Sequence, residues 1–198
     1  MTDTLEQNVA VEIRHPVEDS VRIIASRGVF HVSLKMDRFL NFSCALIPFV
    51  IWLDSLDEAA RVEISVVTPR NTPAYAPSDY LTLINALQRC KAHVAIKMDH
   101  YEPTQASYLY LAAKTVIVYP AGAIFFGPIG RVEQNNTQEI KPISTEFVKH
   151  LALGAKVRGF LSDRECDAIC KSMPIGLTYK DIISRDLSTV GSGVDLRE

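Results

Sequence analysis

The stretch QASYLYLAAKTVIVYPAGAIFFGPIG, which runs from Gln105 to Gly130, is the most informative part of this chain. Its first half predicts a helix over 108–113, because small residues precede a run of large apolar side chains. Strands are predicted over 116–119 and 123–126, on either side of a turn that begins at Pro120. The stretch therefore predicts the order helix, strand, turn, strand.

Strand and helix patterns also alternate before this stretch. The predicted elements are two short strands within 21–36, a strand over 62–67, a helix over 79–90 capped by Ser78, and a strand over 93–98. Gly28 is interpreted as a turn glycine between the first two strands, and segment 37–55 fits either a helix or a strand. Such alternation is typical of βαβ units around a parallel sheet.

Composition indicates one globular domain. The 198 residues are 47% hydrophobic and 22% charged, which is typical of a folded, soluble chain. The net charge of -2 gives no electrostatic reason to expect nucleic acid or an anionic membrane as a partner. We expect a single domain over 1–198, with a flexible N-terminal extension at 1–20 and an exposed handle or loop at 131–142, where the composition turns polar.

The sequence shows no pattern of a membrane span, a leader or a metal site. The longest apolar run, 44–53, is interrupted by Pro48 and is shorter than the roughly 20 residues that cross a bilayer. The N-terminus lacks a basic region followed by an apolar one, so a cytoplasmic location is expected. The four cysteines have no metal-ligand spacing. We expect free thiols, no metal and no cofactor.

The stretch 105–130 resembles the nucleophile region of the Clp/crotonase superfamily of serine peptidases. In the signal peptide peptidase A branch, this region reads A-S-G-G-Y-Y-x-A, followed by a strand ending in N-P and a loop closing with G-S-I-G. The matching pieces here are Ala106-Ser107, 108–113, Tyr119-Pro120 and 127–130.

A second resemblance to the same branch lies in 159–191. It consists of a helix that is capped by Ser162 and carries Glu165 and Ile169, and of a second helix that opens at Leu177-Thr178. The two matches together cover about two thirds of the chain. The resemblance implies an α/β, Clp/crotonase-like fold of stacked ββα units, with a twisted parallel sheet and C-terminal helices. It also implies a homo-oligomer, because this superfamily forms rings and trimers.

A serine peptidase of this superfamily needs a nucleophile at a helix N-terminus and main-chain donors for the oxyanion. The resemblance places Ser107 in the nucleophile position, although a match without gaps places Gln105 there. Arg70 and Asn71 stand where the Clp proteolytic subunit has the two glycines that shape its oxyanion loop. The donor loop is therefore altered.

The general base is the third requirement. The resemblance to the Clp proteolytic subunit implies a base at position 127, where this chain has Gly127. His100 lies beside the nucleophile loop in sequence and is one candidate for a replacement. The lysine base of the signal peptide peptidase branch has no clear counterpart, although four lysines are available at positions 97, 114, 149 and 156.

These departures predict a serine-peptidase-like protein with degenerate catalytic positions, which acts by binding or assembly. A homo-oligomer and a peptide or protein partner are expected. Two alternatives stay open: an active serine endopeptidase that uses Ser107 with His100 or a lysine as an atypical base, and an acyl-CoA-handling crotonase. Five tyrosines either form a peptide-binding or subunit surface or pack in the core and its rim: Tyr75, Tyr80, Tyr101, Tyr108 and Tyr110.

Overall fold

The computed structural model describes residues 21–35, 39–67, 77–99, 101–102, 107–126, 145–185 and 190–192. In chain order the elements are β1 (Val21–Ser26), β2 (Val29–Lys35), α1 (Phe39–Ser55), β3 (Arg61–Val67), α2 (Pro77–Arg89), β4 (His93–Met98), β5 (Tyr101–Glu102), α3 (Ser107–Ala112), β6 (Thr115–Val118), β7 (Ala123–Phe126), α4 (Thr145–Val157), α5 (Asp163–Cys170), β8 (Ile175–Thr178), α6 (Tyr179–Ile183) and β9 (Val190–Ser192). The predicted extension at 1–20 and the predicted handle at 131–142 lie outside these ranges.

Six strands form the main sheet in the order β1-β2-β3-β4-β6-β9. β1 pairs with β2 in the antiparallel sense, and the other neighbours are parallel. Helices connect the parallel strands, as in α/β folds generally. The predicted α/β architecture, with a mostly parallel sheet followed by C-terminal helices, is confirmed.

The break predicted between the first two strands is a two-residue hairpin turn. Arg27 and Gly28 both have positive φ, 51° and 75° respectively. A type I′ turn needs this conformation at both central positions, and its twist matches that of the flanking strands. Gly28 is therefore the turn glycine that the sequence predicts.

Segment 37–55, which fitted either a helix or a strand, contains α1. Its buried side chains Leu46, Phe49 and Leu53 are three and four residues apart and share one helix face. Ile47 and Ile51, on the other side, are 65% and 64% exposed. The nearly continuous apolar run conceals this periodicity in the sequence. None of the helices in the described ranges has the length and apolar character needed to cross a membrane.

A second sheet of three strands has the order β5-β7-β8. The sequence predicted β6 and β7 as successive strands around a turn, but the structure places them in different sheets. The turn between them crosses the end of β4, where the Tyr119 amide donates to the Met98 carbonyl oxygen at 3.0 Å. At Gly122, a Cβ atom would lie 1.9 Å from that same oxygen. Glycine therefore permits the chain to pass from one sheet to the other.

The C-terminal helices begin partly as predicted. Ser162 caps α5 in a capping box, in which its amide donates to Glu165 Oε2 at 2.8 Å. The predicted helix start at Leu177 was wrong, because Leu177 pairs with Ile124 within β8 and Thr178 is the N-cap of α6.

The predicted cap of the second helix was also misplaced. α2 begins at Pro77, so Ser78 lies in its first turn instead of capping it. Proline is favoured at the first position of a helix because its missing N–H has no partner there anyway.

One cluster of buried hydrophobic side chains joins the inward face of the main sheet to the helices. Leu46 comes from α1, Leu83 from α2, Tyr110 from α3, Leu151 from α4 and Cys166 from α5. α3 is enclosed by this cluster over all six of its residues. The core thus fixes the helix that carries the predicted nucleophile.

Candidate functional site

The candidate site lies where the parallel strands of the main sheet end. β3 and β4 are parallel neighbours, with Ile64 opposite Ile96, so the chain leaves both strands at the same edge. In open α/β sheets, ligands bind outside this edge. α3 follows β4 and the short strand β5, and it begins at Ser107. The predicted site residues Arg70, Asn71 and His100 lie outside the described residues.

Ser107 is fully buried, with an exposed fraction of 0%. Its hydroxyl donates to the Phe125 carbonyl oxygen at 2.8 Å and accepts from the Phe125 amide at 3.2 Å. Because Phe125 belongs to β7, these two bonds connect the N-terminus of α3 to the second sheet. The serine does stand at a helix start, as the sequence predicts, and its hydroxyl satisfies main-chain groups there.

Two of the five tyrosines are packed in the core. The Tyr108 ring lies against Phe126, with 5.8 Å between the ring centroids. Tyr110 is fully buried, and its hydroxyl donates to the Lys97 carbonyl oxygen at 3.0 Å. Both rings therefore hold α3 against its neighbours. The side chains of the other three tyrosines, at positions 75, 80 and 101, lie outside the described part of the chain.

Burial raises the pKa of Tyr108 to about 12. The phenol of an unfolded chain ionises near pH 10. Between about pH 10 and 12 the unfolded state therefore holds fewer protons than the native state, so stability falls as pH rises. We expect the free energy of unfolding to lose roughly 1.4 kcal/mol per pH unit from this group. Urea titrations at several alkaline pH values, with Tyr108→Phe as the control, measure this slope; an equal slope in the variant would contradict the assignment.

The four lysines considered as bases all have acceptor partners. Three are paired with carboxylates: Lys97 with Glu63 at 2.9 Å, Lys149 with Glu146 at 2.8 Å and Lys156 with Asp163 at 2.8 Å. Lys114 donates to three main-chain carbonyl oxygens of residues 90–92, at the C-terminal end of α2. Hydrogen bonds to Glu146 and Asp163 raise the pKa of Lys149 and Lys156. A general base requires the opposite shift.

Arg158 is a positioning residue that no pattern in the sequence indicated. It lies just beyond α4, and its Nη2 atom donates to the Leu111 carbonyl oxygen near the end of α3. Burial lowers the pKa of this guanidinium. Ser107 and Arg158 thus tie the two ends of α3, one to the second sheet and one to the chain beyond α4. A single arginine in a helical pattern has no spacing that could have revealed this contact.

The side chains that the structure describes include those of three cysteines and of several His, Asp and Glu residues. Cys90, Cys166 and Cys170 are free thiols, which confirms the prediction for these three. Among the residues that the structure describes, no three His, Cys, Asp or Glu side chains come together in a way that could hold a metal ion.

Several solved structures share this arrangement of sheets and helices. An enoyl-CoA hydratase from Mycobacterium avium subsp. paratuberculosis matches with a TM-score of 0.54 and 14% identity, over 88% of this chain and 71% of that protein. An enoyl-CoA hydratase/isomerase from Pseudoalteromonas atlantica matches with a TM-score of 0.53 and 10% identity, over 88% of this chain and 70% of that protein. A membrane-bound stomatin-specific protease matches with a TM-score of 0.51 and 14% identity, over 82% of this chain and 77% of that protein. The chain has a Clp/crotonase-like fold.

The Clp/crotonase resemblance is therefore confirmed at the level of the fold. No family model and no curated protein sequence matches the chain. At 10–14% identity the likeness concerns architecture, and both a protease and enoyl-CoA hydratases share it. Because one fold carries several activities, the activity has to be argued from the site itself.

Proposed function

We propose that this protein is a non-catalytic, serine-peptidase-like member of the Clp/crotonase fold, which acts by binding or assembly. The observation that carries the proposal is the state of Ser107, whose side chain is fully buried and whose hydroxyl is bonded to the main chain of Phe125. A nucleophile has to reach a substrate carbonyl carbon, and this hydroxyl faces a strand of its own protein.

The surroundings of Ser107 support the same proposal. All six side chains of α3 are buried, so the helix cannot turn Ser107 outward without breaking the core. All four candidate lysines are occupied by carboxylate or carbonyl partners, and the hydrogen bonds of Lys149 and Lys156 to carboxylates raise the pKa of these two, which opposes a role as general base. The alternative of a serine endopeptidase would need Ser107 to exchange its Phe125 bonds for a bond to a base.

Exposed apolar side chains favour assembly as the mode of action. Ile47 and Ile51 lie one turn apart on α1, and Leu153 and Val157 lie one turn apart on α4. Their exposed fractions range from 53% to 87%. Apolar stripes of this kind are typical of surfaces that associate with another protein chain. We therefore propose that the protein forms a homo-oligomer. We also propose that it binds a peptide or protein partner and that it acts in the cytoplasm.

Replacement of Ser107 by alanine should destabilise the protein without changing any hydrolysis. The substitution removes both hydrogen bonds to Phe125 inside the core, which we expect to cost about 1–3 kcal/mol of unfolding free energy. Replacement of a catalytic serine would instead leave the unfolding free energy unchanged or increase it, because active-site groups are commonly neutral or costly to stability. Urea unfolding measures the change. Ser55→Ala is the matched control, since Ser55 also donates to a carbonyl oxygen but is exposed.

Labelling with a fluorophosphonate probe tests the absence of an activated serine. We expect no covalent adduct by intact mass, and native mass spectrometry should show oligomers in both the parent and Ser107→Ala. Labelling that disappears in Ser107→Ala would overturn the proposal and favour the serine endopeptidase. A single 22 kDa species at micromolar concentration would contradict self-assembly.

A further inference from the structure

The outward face of the main sheet concentrates positive charge. Side chains alternate along each strand, so the neighbours of the buried core residues point away from the helices. Strands β1–β4 and β6 carry four Lys or Arg residues and one carboxylate: Arg22, Lys35, Arg61, Lys97 and Glu63. The whole chain, in contrast, has a net charge of -2. The basic residues of the sheet are thus gathered on a surface that the overall charge does not reveal.

Strand register places four of these polar residues in one row. Arg22 is opposite Ser33, Ser33 is opposite Ser65, and Ser65 is opposite Lys97. Residues in register project from the same face, with Cβ atoms of neighbouring strands about 5 Å apart. The Arg22–Lys97 row therefore consists of two hydroxyls flanked by two long cationic side chains.

The small serines leave a depression between the longer side chains around them. This concave site has a volume of about 400 Å³ and is lined by Arg22, Ser33 and Ser65, together with His31 and Lys35 from the neighbouring positions of β2. The lining offers a guanidinium, an ammonium, an imidazole and two hydroxyls. These groups are hydrogen-bond donors that suit a small anion.

The nearby carboxylate is already paired. Glu63 Oε2 lies 2.9 Å from Lys97 Nζ and 3.3 Å from His31 Nδ1. Within the described ranges, Arg22 and Lys35 have no carboxylate within ion-pair distance. Among the residues that the structure describes, no carboxylate therefore competes with a ligand for these two cations.

We propose that this depression binds the phosphate group of a small organic phosphate ester. A planar guanidinium binds two phosphate oxygens side by side, while the ammonium and the serine hydroxyls complete the donor set. The volume exceeds what a phosphate group occupies, and Ile24 lines the remaining part with an apolar side chain. The depression lies on the outward face of the main sheet, whereas Ser107 is buried in the core, so this proposal does not depend on the proposed function.

Calorimetric titration of the 198-residue chain tests this site. Phenyl phosphate should bind more tightly than inorganic phosphate, because the organic group contacts Ile24. We expect Arg22→Gln combined with Lys35→Gln to weaken phenyl phosphate binding about tenfold or more, since charged hydrogen bonds are lost. Both side chains are exposed, so the double variant should keep its fold, which circular dichroism verifies.

A control with the same change in net charge separates the site from general electrostatics. Arg164→Gln combined with Lys171→Gln removes two exposed positive charges at α5, away from the sheet. This variant should bind phenyl phosphate as the parent does. Equal weakening in both double variants, tighter binding of inorganic phosphate, or no binding of phenyl phosphate at millimolar concentration would overturn the proposal. Displacement of phenyl phosphate by an RNA duplex at lower concentration would assign the face to nucleic acid instead.

Discussion

Replacement of Gly122 by alanine is expected to prevent the chain from reaching a stable native state. The added Cβ would lie 1.9 Å from the Met98 carbonyl oxygen and 2.7 Å from its carbon. Both are main-chain atoms of β4, so no side-chain rotation can relieve the overlap. The turn is also fixed by hydrogen bonds from Gly122 N to Tyr119 O at 2.8 Å and from Tyr179 N to Gly122 O at 3.2 Å.

The expected loss of unfolding free energy is about 4 kcal/mol or more, which is a large part of the roughly 5–15 kcal/mol that stabilises a typical domain. Gly154→Ala is the matched control. Gly154 lies inside α4, where the new Cβ would be 3.5 Å from Arg158 Nη1, and we expect a gain of about 0.5–1 kcal/mol from helix propensity. Denaturant unfolding compares the two, with protease resistance in cell extracts as the readout if Gly122→Ala cannot be purified. Similar midpoints for both variants would show that the crossing at Met98 is wrong.

Replacement of Arg185 by methionine should cause the second largest loss. Arg185 Nη2 lies 2.6 Å from Glu165 Oε1, and each side chain is only 14% exposed. The same guanidinium donates to the carbonyl oxygens of Asp181, at 2.7 Å, and of Phe160. Methionine fills a similar volume but leaves the Glu165 carboxylate largely buried without its cation. We expect a cost of about 3 kcal/mol, measured by urea unfolding.

Two companion variants show whether the cost arises from the unpaired charge. Arg89→Met breaks a pair of similar geometry with Asp54, but those side chains are 51% and 40% exposed, so the loss should stay below about 1 kcal/mol. Adding Glu165→Gln to Arg185→Met removes the unpaired, largely buried carboxylate and should recover part of the lost unfolding free energy. An equal cost at Arg185 and Arg89, or no recovery in the double variant, would contradict the explanation.

Local patterns in the sequence predicted the elements of this fold well. Val32 and Leu34 alternate with polar residues, which indicated a half-buried strand, and Ser162 with Glu165 three residues later indicated a helix start. These signals act between residues that are close in the chain. Resemblance to the Clp/crotonase superfamily then predicted the overall architecture, a parallel sheet with C-terminal helices, and the structural neighbours share that fold.

The site could be predicted only in part, because its contacts join distant parts of the chain. The sequence predicted Ser107 at a helix start but could not identify its hydrogen-bond partner. That partner, Phe125, belongs to β7, which is part of the second sheet. The position of β7 in the second sheet depends on the crossing of β4 at Gly122, and there the sequence shows only the pattern of a turn. The row from Arg22 to Lys97 is likewise a product of register across four strands, and no single strand contains it.

The pairing of β6 with β9 has a consequence for synthesis. Val116 is opposite Val190 in this parallel pair, so the strand that covers β6 consists of residues that leave the ribosome long after β6. Until then β6 presents unpaired main-chain groups, which are a template for pairing with other chains. Contacts this far apart in sequence also form slowly. The nascent protein therefore passes through a stage in which the sheet is nearly complete but the main-chain groups of β6 can still pair with another chain. A chaperone that covers β6 during this stage would raise the yield of native protein.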